Sequence, residues 1–340
     1  MRARLSTSAL VAWAVAAALA GPAVHAAASV TAATPVTHAN YTLLTEPNSG
    51  LGPVYGLISS ARHNLDMTMY ELSDPVAEAD LAADARRGVS VRVVLDHNLA
   101  GRFNAPAFSY LQSHGVHVRW APTSYDVTHQ KTITVDGTVS VVMTLNLTSQ
   151  YYATTRDFAI IDRDRQDVAA IEAVFDDDFA GDRSSREPPG ADLVWSPGAD
   201  ARLVAVIESA RHSLYVENEE MSEYTIVDAL AAAAARGVDV EVVMTDQSSW
   251  HSNFDKLARA GVHVRTYSPS ASLYIHAKVI DVDPGYSDEQ LVIGSQNFSW
   301  ASLQYNRELS VDLGSAEAGI VRAVAATVQS DYAGGAAWRG

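Results

Sequence analysis

Residues 129–137 read HQKTITVDG, and residues 276–283 read HAKVIDVD. Each stretch has a histidine, a lysine two residues on, and an aspartate five residues after the lysine. One such stretch is a polar strand running into a turn. Two of them, 147 residues apart, raise the question of whether the whole chain is duplicated.

The flanking sequence repeats as well. ARHNL at 61–65 returns as ARHSL at 210–214, and RGVSVRVVL at 87–95 returns as RGVDVEVVM at 236–244. GVHVR occurs at 115–119 and again at 261–265. The offsets are 149, 149 and 146, so the chain holds two copies of one unit. In each copy a helix ends near ARHNL or ARHSL. A strand follows (LDMTMYEL, LYVENEEM), and then an Ala-rich helical run closed by Gly. Next comes VSVRVVLD or its counterpart, with the β-branched density of a strand buried on both faces. Alternating strands and helices predict an α/β fold of two homologous layered halves. The halves are expected at about 40–180 and 192–335. The polar, proline-bearing stretch GDRSSREPPGAD supplies a linker over 181–191.

Composition narrows the class. With 48% hydrophobic and 19% charged residues among 340, a large core is expected. Residues 1–28 read as a signal peptide. Arg2 and Arg4 precede an apolar stretch too short to span a bilayer comfortably, and Ala26, Ala27 and Ala28 offer a cleavage site. The mature protein is thus expected to be secreted or periplasmic. There are no cysteines, so disulfides, thiolate chemistry and cysteine-ligated zinc are excluded. The net charge of −16 becomes −18 without the leader, which disfavours nucleic acid as a partner. Only three lysines occur, Lys131, Lys256 and Lys278, and two lie in the duplicated stretches. Arginine is not equivalent to lysine at a tight phosphate site.

HQKTITV, Asp136-Gly137 and TVSVVMTLN together predict a β-hairpin, since Asp-Gly favours a two-residue turn. Pairs would then have numbers adding to 273, placing His129 opposite Thr144. His129, Lys131, Thr144 and Asn146 would share one face, a cluster suited to an anion. The second set is His276, Lys278, Ser295 and Asn297, with four more residues in the turn. Asp157 lies 28 residues after His129, and Glu308 lies 32 after His276. Allowing for the longer turn, these carboxylates match. Asp157 is expected behind His129 and Glu308 behind His276, each fixing an imidazole tautomer. The competing reading makes Arg156–Asp157 and Arg307–Glu308 surface ion pairs.

These residues resemble the phospholipase D superfamily, with its H-x-K-x-x-x-x-D motif followed by G-[SG]-x-N, usually twice per chain. His129, Lys131 and Asp136 match, as do His276, Lys278, Asp283, Gly294, Ser295 and Asn297. The first copy departs, with Met143 and Thr144 where Gly and Ser are usual. The resemblance implies two α/β sandwich halves about a pseudo-twofold axis, with one site between them. It implies a two-step displacement at a phosphodiester. His129 would be the nucleophile, and His276 the general acid. Lys131, Lys278, Asn146 and Asn297 would hold the phosphoryl oxygens, with Thr144 and Ser295 also on the substrate. Asp136 and Asp283 are expected to shape the turns. Neither cofactor nor metal is implied, and the sequence has no HExxH or similar metal-ligand spacing.

The substrate is less legible. Phe103, Phe108, Tyr110, Trp250 and Phe254 follow the strands ending at Asp96 and Asp246, where they could enter a lipid interface, stack on bases, or pack. The favoured reading is a monomeric, secreted phospholipase D acting on phosphatidylcholine-like lipids, with transient membrane-surface contact. A secreted metal-independent nuclease and a non-catalytic binding module on the same fold are the alternatives.

Overall fold

The computed structural model describes residues 34–182 and 187–339. The expected signal peptide lies outside the described residues. In the first half, β1 (Val36–His38) and β2 (Tyr41–Glu46) lead into α1 (Gly52–Ser59), β3 (Asn64–Met69), α2 (Pro75–Arg86) and β4 (Ser90–Leu95). There follow α3 (Gly101–Ser113), β5 (His117–Trp120), β6 (Lys131–Val135), β7 (Val139–Met143), β8 (Thr155–Asp162) and α4 (Arg165–Ala180). The second half repeats the order: β9 (Leu193–Ser196), α5 (Asp200–Ser209), β10 (Ser213–Glu217), α6 (Tyr224–Ala235), β11 (Asp239–Thr245), α7 (His251–Arg259) and β12 (His263–Tyr267). Then come β13 (Tyr274–Ile275), β14 (Val279–Val282), β15 (Gln290–Gly294), α8 (Trp300–Gln304), β16 (Glu308–Leu313), α9 (Ala318–Gly334) and β17 (Ala336–Ala337).

Local chemistry sets the helix ends. Asp74 caps α2 by accepting from the Val76 and Ala77 amides, and Pro75 occupies its first turn. Glu223 caps α6 by accepting from the Thr225 amide. Gly181 closes α4 with φ +90°, a conformation that suits glycine.

Each half builds one mixed sheet. The first runs β1-β2-β8-β7-β6-β3-β4-β5 and the second β17-β12-β11-β10-β14-β15-β16-β9. Within each, the βαβ crossovers give parallel pairs (β3 with β4 and β4 with β5; β10 with β11 and β11 with β12), while the hairpin strands pair antiparallel. One core lies under α1 to α3 and includes Ile58, Leu65, Met67, Leu81, Leu111 and Ile133. A second lies under α5 to α7, with Ile207, Leu214, Leu230, Val240 and Phe254. The third joins the sheets: Leu43, Val142, Phe158 and Ile160 meet Val279, Ile293, Leu309 and Val311, flanked by α4 and α9. Two homologous α/β halves thus pack sheet to sheet about a pseudo-twofold axis.

The first hairpin differs from expectation by one residue. Val135 pairs with Val139 and Thr132 with Val142, so the turn holds three residues, Asp136 to Thr138, and paired numbers add to 274. The cause is Asp136. Its carboxylate accepts from the amides of Arg62, His63 and Asn64, which holds the residue at φ +51° and widens the turn. A one-residue shift exchanges faces. Thr132 rather than Lys131 therefore lies across from Val142, and Thr144 does not lie across from His129.

The halves also exchange backbone. β13 pairs with β8, and the His276 amide donates to the Arg156 carbonyl (3.2 Å). In mirror fashion, Thr128 bridges Arg307, and the His129 amide donates to the Arg307 carbonyl (2.9 Å). Each histidine is thereby tied to the last long strand of the opposite half.

Candidate active site

This exchange decides how the carboxylates pair. His129 Nδ1 donates to Glu308 Oε2 at 2.9 Å, and His276 Nδ1 donates to Asp157 Oδ1 at 2.7 Å. The expected pairing within each half is wrong: His129 and His276 are each oriented by the carboxylate of the other half. Spacing along the chain was matched because both partners repeat, and it carries no information on which copy meets which. Nor are these residues surface ion pairs. Asp157, Glu308, Arg156 and Arg307 are all buried.

The carboxylates are themselves held. Asp157 accepts from the Thr144 hydroxyl (2.6 Å), which in turn accepts from the Phe158 amide (2.9 Å). Glu308 accepts from Ser302 (2.7 Å) and Asn306 (3.2 Å). Burial alone would raise both carboxyls. The His276 and His129 rings beside them outweigh it and hold each below the usual carboxylate range. With Nδ1 engaged, each imidazole presents Nε2 for chemistry.

Thr144 and Ser295 do not face a substrate. Thr144 is spent on Asp157, and Ser295 Oγ, fully buried, accepts from the Leu309 amide at 3.0 Å. Both brace the strands that carry the carboxylates. Asp136 and Asp283 lie at the far ends of their strands. Asp283 accepts from Arg211, His212 and Ser213 as Asp136 does from 62–64.

The lysines close the site. Lys131 Nζ donates to the His129 carbonyl (2.5 Å) and stands 4.9 Å from the Tyr70 ring centre. Lys278 Nζ donates to the His276 carbonyl. Burial pushes the Lys131 ammonium down to about 7 and His129 below its ordinary range. The amide oxygens of Asn146 and Asn297 are buried without partners; they are acceptors, so only the amide nitrogens could donate to a phosphoryl oxygen, and Asn297 Nδ2 already faces Glu220.

Residues 54–179 and 203–331 match the family described as "Cardiolipin synthase, PLD-like domain". The chain belongs to the phospholipase D superfamily. Similar curated proteins include cardiolipin synthase A of Cronobacter sakazakii, 26% identical over 85% of this chain and 68% of its own length. Cardiolipin synthase of Halalkalibacterium halodurans is 24% identical over 81% of this chain and 62% of its own length. Two solved structures share the fold. Phosphatidylserine synthase of Haemophilus influenzae Rd KW20 has a TM-score of 0.66 at 12% identity, covering 86% of both chains. Polyphosphate kinase from Porphyromonas gingivalis also has a TM-score of 0.66, at 15% identity, over 85% of this chain and 46% of that one.

In this phospholipase D superfamily chain, sequence reasoning missed the residues just past β3 and β10. Glu219 Oε2 lies 3.1 Å from Lys278 Nζ and 3.5 Å from His276 Nε2, and its Oε1 accepts from Tyr274 Oη at 3.2 Å. Glu220 accepts from Asn297 Nδ2 (3.3 Å). Burial and the neighbouring Glu219 push Glu220 up to about 7, and burial raises Glu71. Three glutamates in VENEEM, at the carboxyl end of a parallel strand, were the available signal. The aromatics divide. Phe254 is buried, Phe108 stacks on Trp120, and Tyr110 and Trp250 pack against the cores, whereas Phe103, Tyr151 and Trp300 are exposed. As a phosphodiester site, the cluster offers two imidazoles and two ammonium groups that act on one another and on Glu219.

Proposed function

We propose that the protein cleaves the head-group phosphodiester of phosphatidylcholine-like phospholipids through a phosphohistidine. The phosphatidyl group passes to water, giving phosphatidate and the free head-group alcohol. The observation that carries this reading is the pair of histidines, each with Nδ1 fixed by a buried carboxylate of the opposite half. That arrangement lets one Nε2 attack phosphorus while the other protonates the leaving oxygen.

Phospholipid is favoured over nucleic acid on electrostatic grounds. Glu71, Glu219 and Glu220 lie beside the histidines and lysines in a chain of net charge −16, which opposes a polyanion and accommodates an ammonium-bearing head group. Exposed Leu99, Phe103, Trp300 and Tyr305 lie on segments that lead into the site and suit contact with a lipid surface. Export after removal of residues 1–28 would bring the enzyme to such a surface. Amino-terminal sequencing of protein recovered outside the cytoplasm should begin near residue 29, and an intact Met1 would oppose it.

A second reading keeps the same intermediate and replaces water by a lipid alcohol. It is favoured by the relatives named cardiolipin synthases. The deciding experiment incubates the protein with phosphatidylcholine vesicles, phosphatidylglycerol vesicles and single- and double-stranded DNA. Choline release with phosphatidate supports hydrolysis, and a diphosphatidyl product supports transfer. DNA cleavage without lipid turnover would overturn both.

A further inference from the structure

The repeat is broken at one place inside the site. The offset of 149 that aligns ARHNL with ARHSL sets Glu219 against Tyr70 and Glu220 against Glu71. The two histidines thus stand in different surroundings. His129 has one carboxylate, Glu308 on Nδ1, and meets Tyr70 edge to face with ring centres 4.7 Å apart. His276 has two: Asp157 at 2.7 Å on Nδ1 and Glu219 at 3.5 Å from Nε2. The lysines differ likewise. Lys278 faces Glu219, while Lys131 faces the Tyr70 ring.

We infer that Glu219 sets the division of labour between the histidines, keeping a proton on His276 Nε2 so that His276 is the acid and His129 the nucleophile. This rests on the phosphodiester reading above and goes beyond it by naming Glu219 as the positioning residue behind roles that the family resemblance already implies. An imidazole with a carboxylate at each nitrogen is favoured in its doubly protonated form. His129 has an acceptor on Nδ1 only, and Nε2 keeps its lone pair. The groups bearing on His276 are Asp157 from β8, Glu219 beyond β10, Glu71 beyond β3, and Lys278 two residues on. Those bearing on Glu219 are Lys278, His276, His129, Lys131, Tyr274, Tyr70, Glu71 and Glu220. The cations and burial act in opposite senses, and the cations win, leaving Glu219 well below the usual carboxylate range.

The step balances as follows. The Nε2 lone pair of His129 forms a bond to phosphorus, the bond from phosphorus to the head-group oxygen breaks, and that oxygen takes the Nε2 proton of His276. In the second step a water or alcohol oxygen bonds to phosphorus as the nitrogen–phosphorus bond breaks. Its proton returns to His276 Nε2, where Glu219 again stabilises it.

The test needs no substrate. Histidine-labelled full-length protein and its E219Q variant are titrated by nitrogen NMR, with the rings assigned from H129A and H276A. In E219Q the His276 ring should lose its second proton at about tenfold higher proton activity, the effect expected for removing one charge at this range. His129, which Glu219 also feels, should move less than His276. Y70E supplies the converse: His129 should hold a proton to higher pH. If E219Q leaves the His276 titration unchanged, the inference fails, whatever Y70E does to His129. Where lipid turnover is measurable, the basic limb of kcat/KM should move to lower pH in E219Q while the acid limb stays. Absence of turnover in the unsubstituted protein would defeat the phosphodiester reading and leave the titration result to judge Glu219.

Discussion

Asp157 Oδ1 accepts from His276 Nδ1 at 2.7 Å, although 119 residues separate them and they belong to opposite halves. Neither half therefore completes a histidine–carboxylate pair of the site by itself. Asp157→Asn should keep the fold, because Thr144 can still bond the side chain, but it would misorient the His276 ring. On a natural phospholipid, kcat/KM should fall by about 10²- to 10⁴-fold, as for other histidine-orienting aspartates. On a diester with a nitrophenolate leaving group, which needs no proton, the loss should be much smaller. Glu308→Gln should cost both substrates alike. Equal losses for Asp157→Asn on the two substrates would contradict its service to an acid.

Beside each orienting carboxylate stands an arginine that crosses the interface. Arg307 bonds Asp178 of α4 through Nε (3.0 Å) and Nη2 (3.2 Å), and Arg156 bonds Asp331 of α9. Arg307→Ala leaves Asp178 buried and unpaired, with expected destabilisation of about 3–5 kcal/mol by urea unfolding. Arg307→Lys should recover only part of this, since an ammonium cannot make the paired contacts. A change below about 1 kcal/mol for Arg307→Ala would show that the pair is dispensable.

Much of this was legible because the chain says it twice. The duplicated HxK stretches, the matched carboxylate spacing and the Asn positions named most of the cluster. Duplication also hid what it could not encode. It could not say that Asp157 serves His276, since both pairings have the same spacing. The hairpin register depended on Asp136 binding residues 62–64, a contact no local turn rule contains. Gly294 and Met143 hold the same motif position for different reasons. A Cβ at 294 would lie 2.3 Å from the Leu309 carbonyl oxygen, whereas Met143 fills the first core. Glu219 escaped notice because it occurs in one copy only, and its counterpart is Tyr70.

Lys131 makes anion binding depend on pH. Burial pushes Lys131 down to about 7, so its charge is present below that pH and is lost as pH rises through it. Sulfate, whose charge is constant over this range, should inhibit more strongly at pH 6 than at pH 8.5, by about tenfold. Lys131→Met should bind sulfate weakly at both values and flatten the dependence. An unaltered pH dependence in that variant would place the titrating group elsewhere.

The exposed aromatics should matter only at a lipid surface. Trp300 and Tyr305 are 55% and 47% exposed, with ring centres 6.0 Å apart. They lie on the segment between Asn297 and Glu308, and both of those residues belong to the site. Exposing two such rings to water has no structural return, since neither fills a core, whereas burying them among lipid head groups contributes about 1.5–3 kcal/mol for a large apolar side chain. Trp300→Ala with Tyr305→Ala should therefore lower vesicle binding and turnover by about tenfold or more. Turnover of a short-chain phospholipid below its micellar concentration should change little, because that substrate reaches His129 and His276 from solution. If both substrates suffer equally, the rings shape the cleft rather than the approach to a membrane. If neither does, the lipid surface is met by another face.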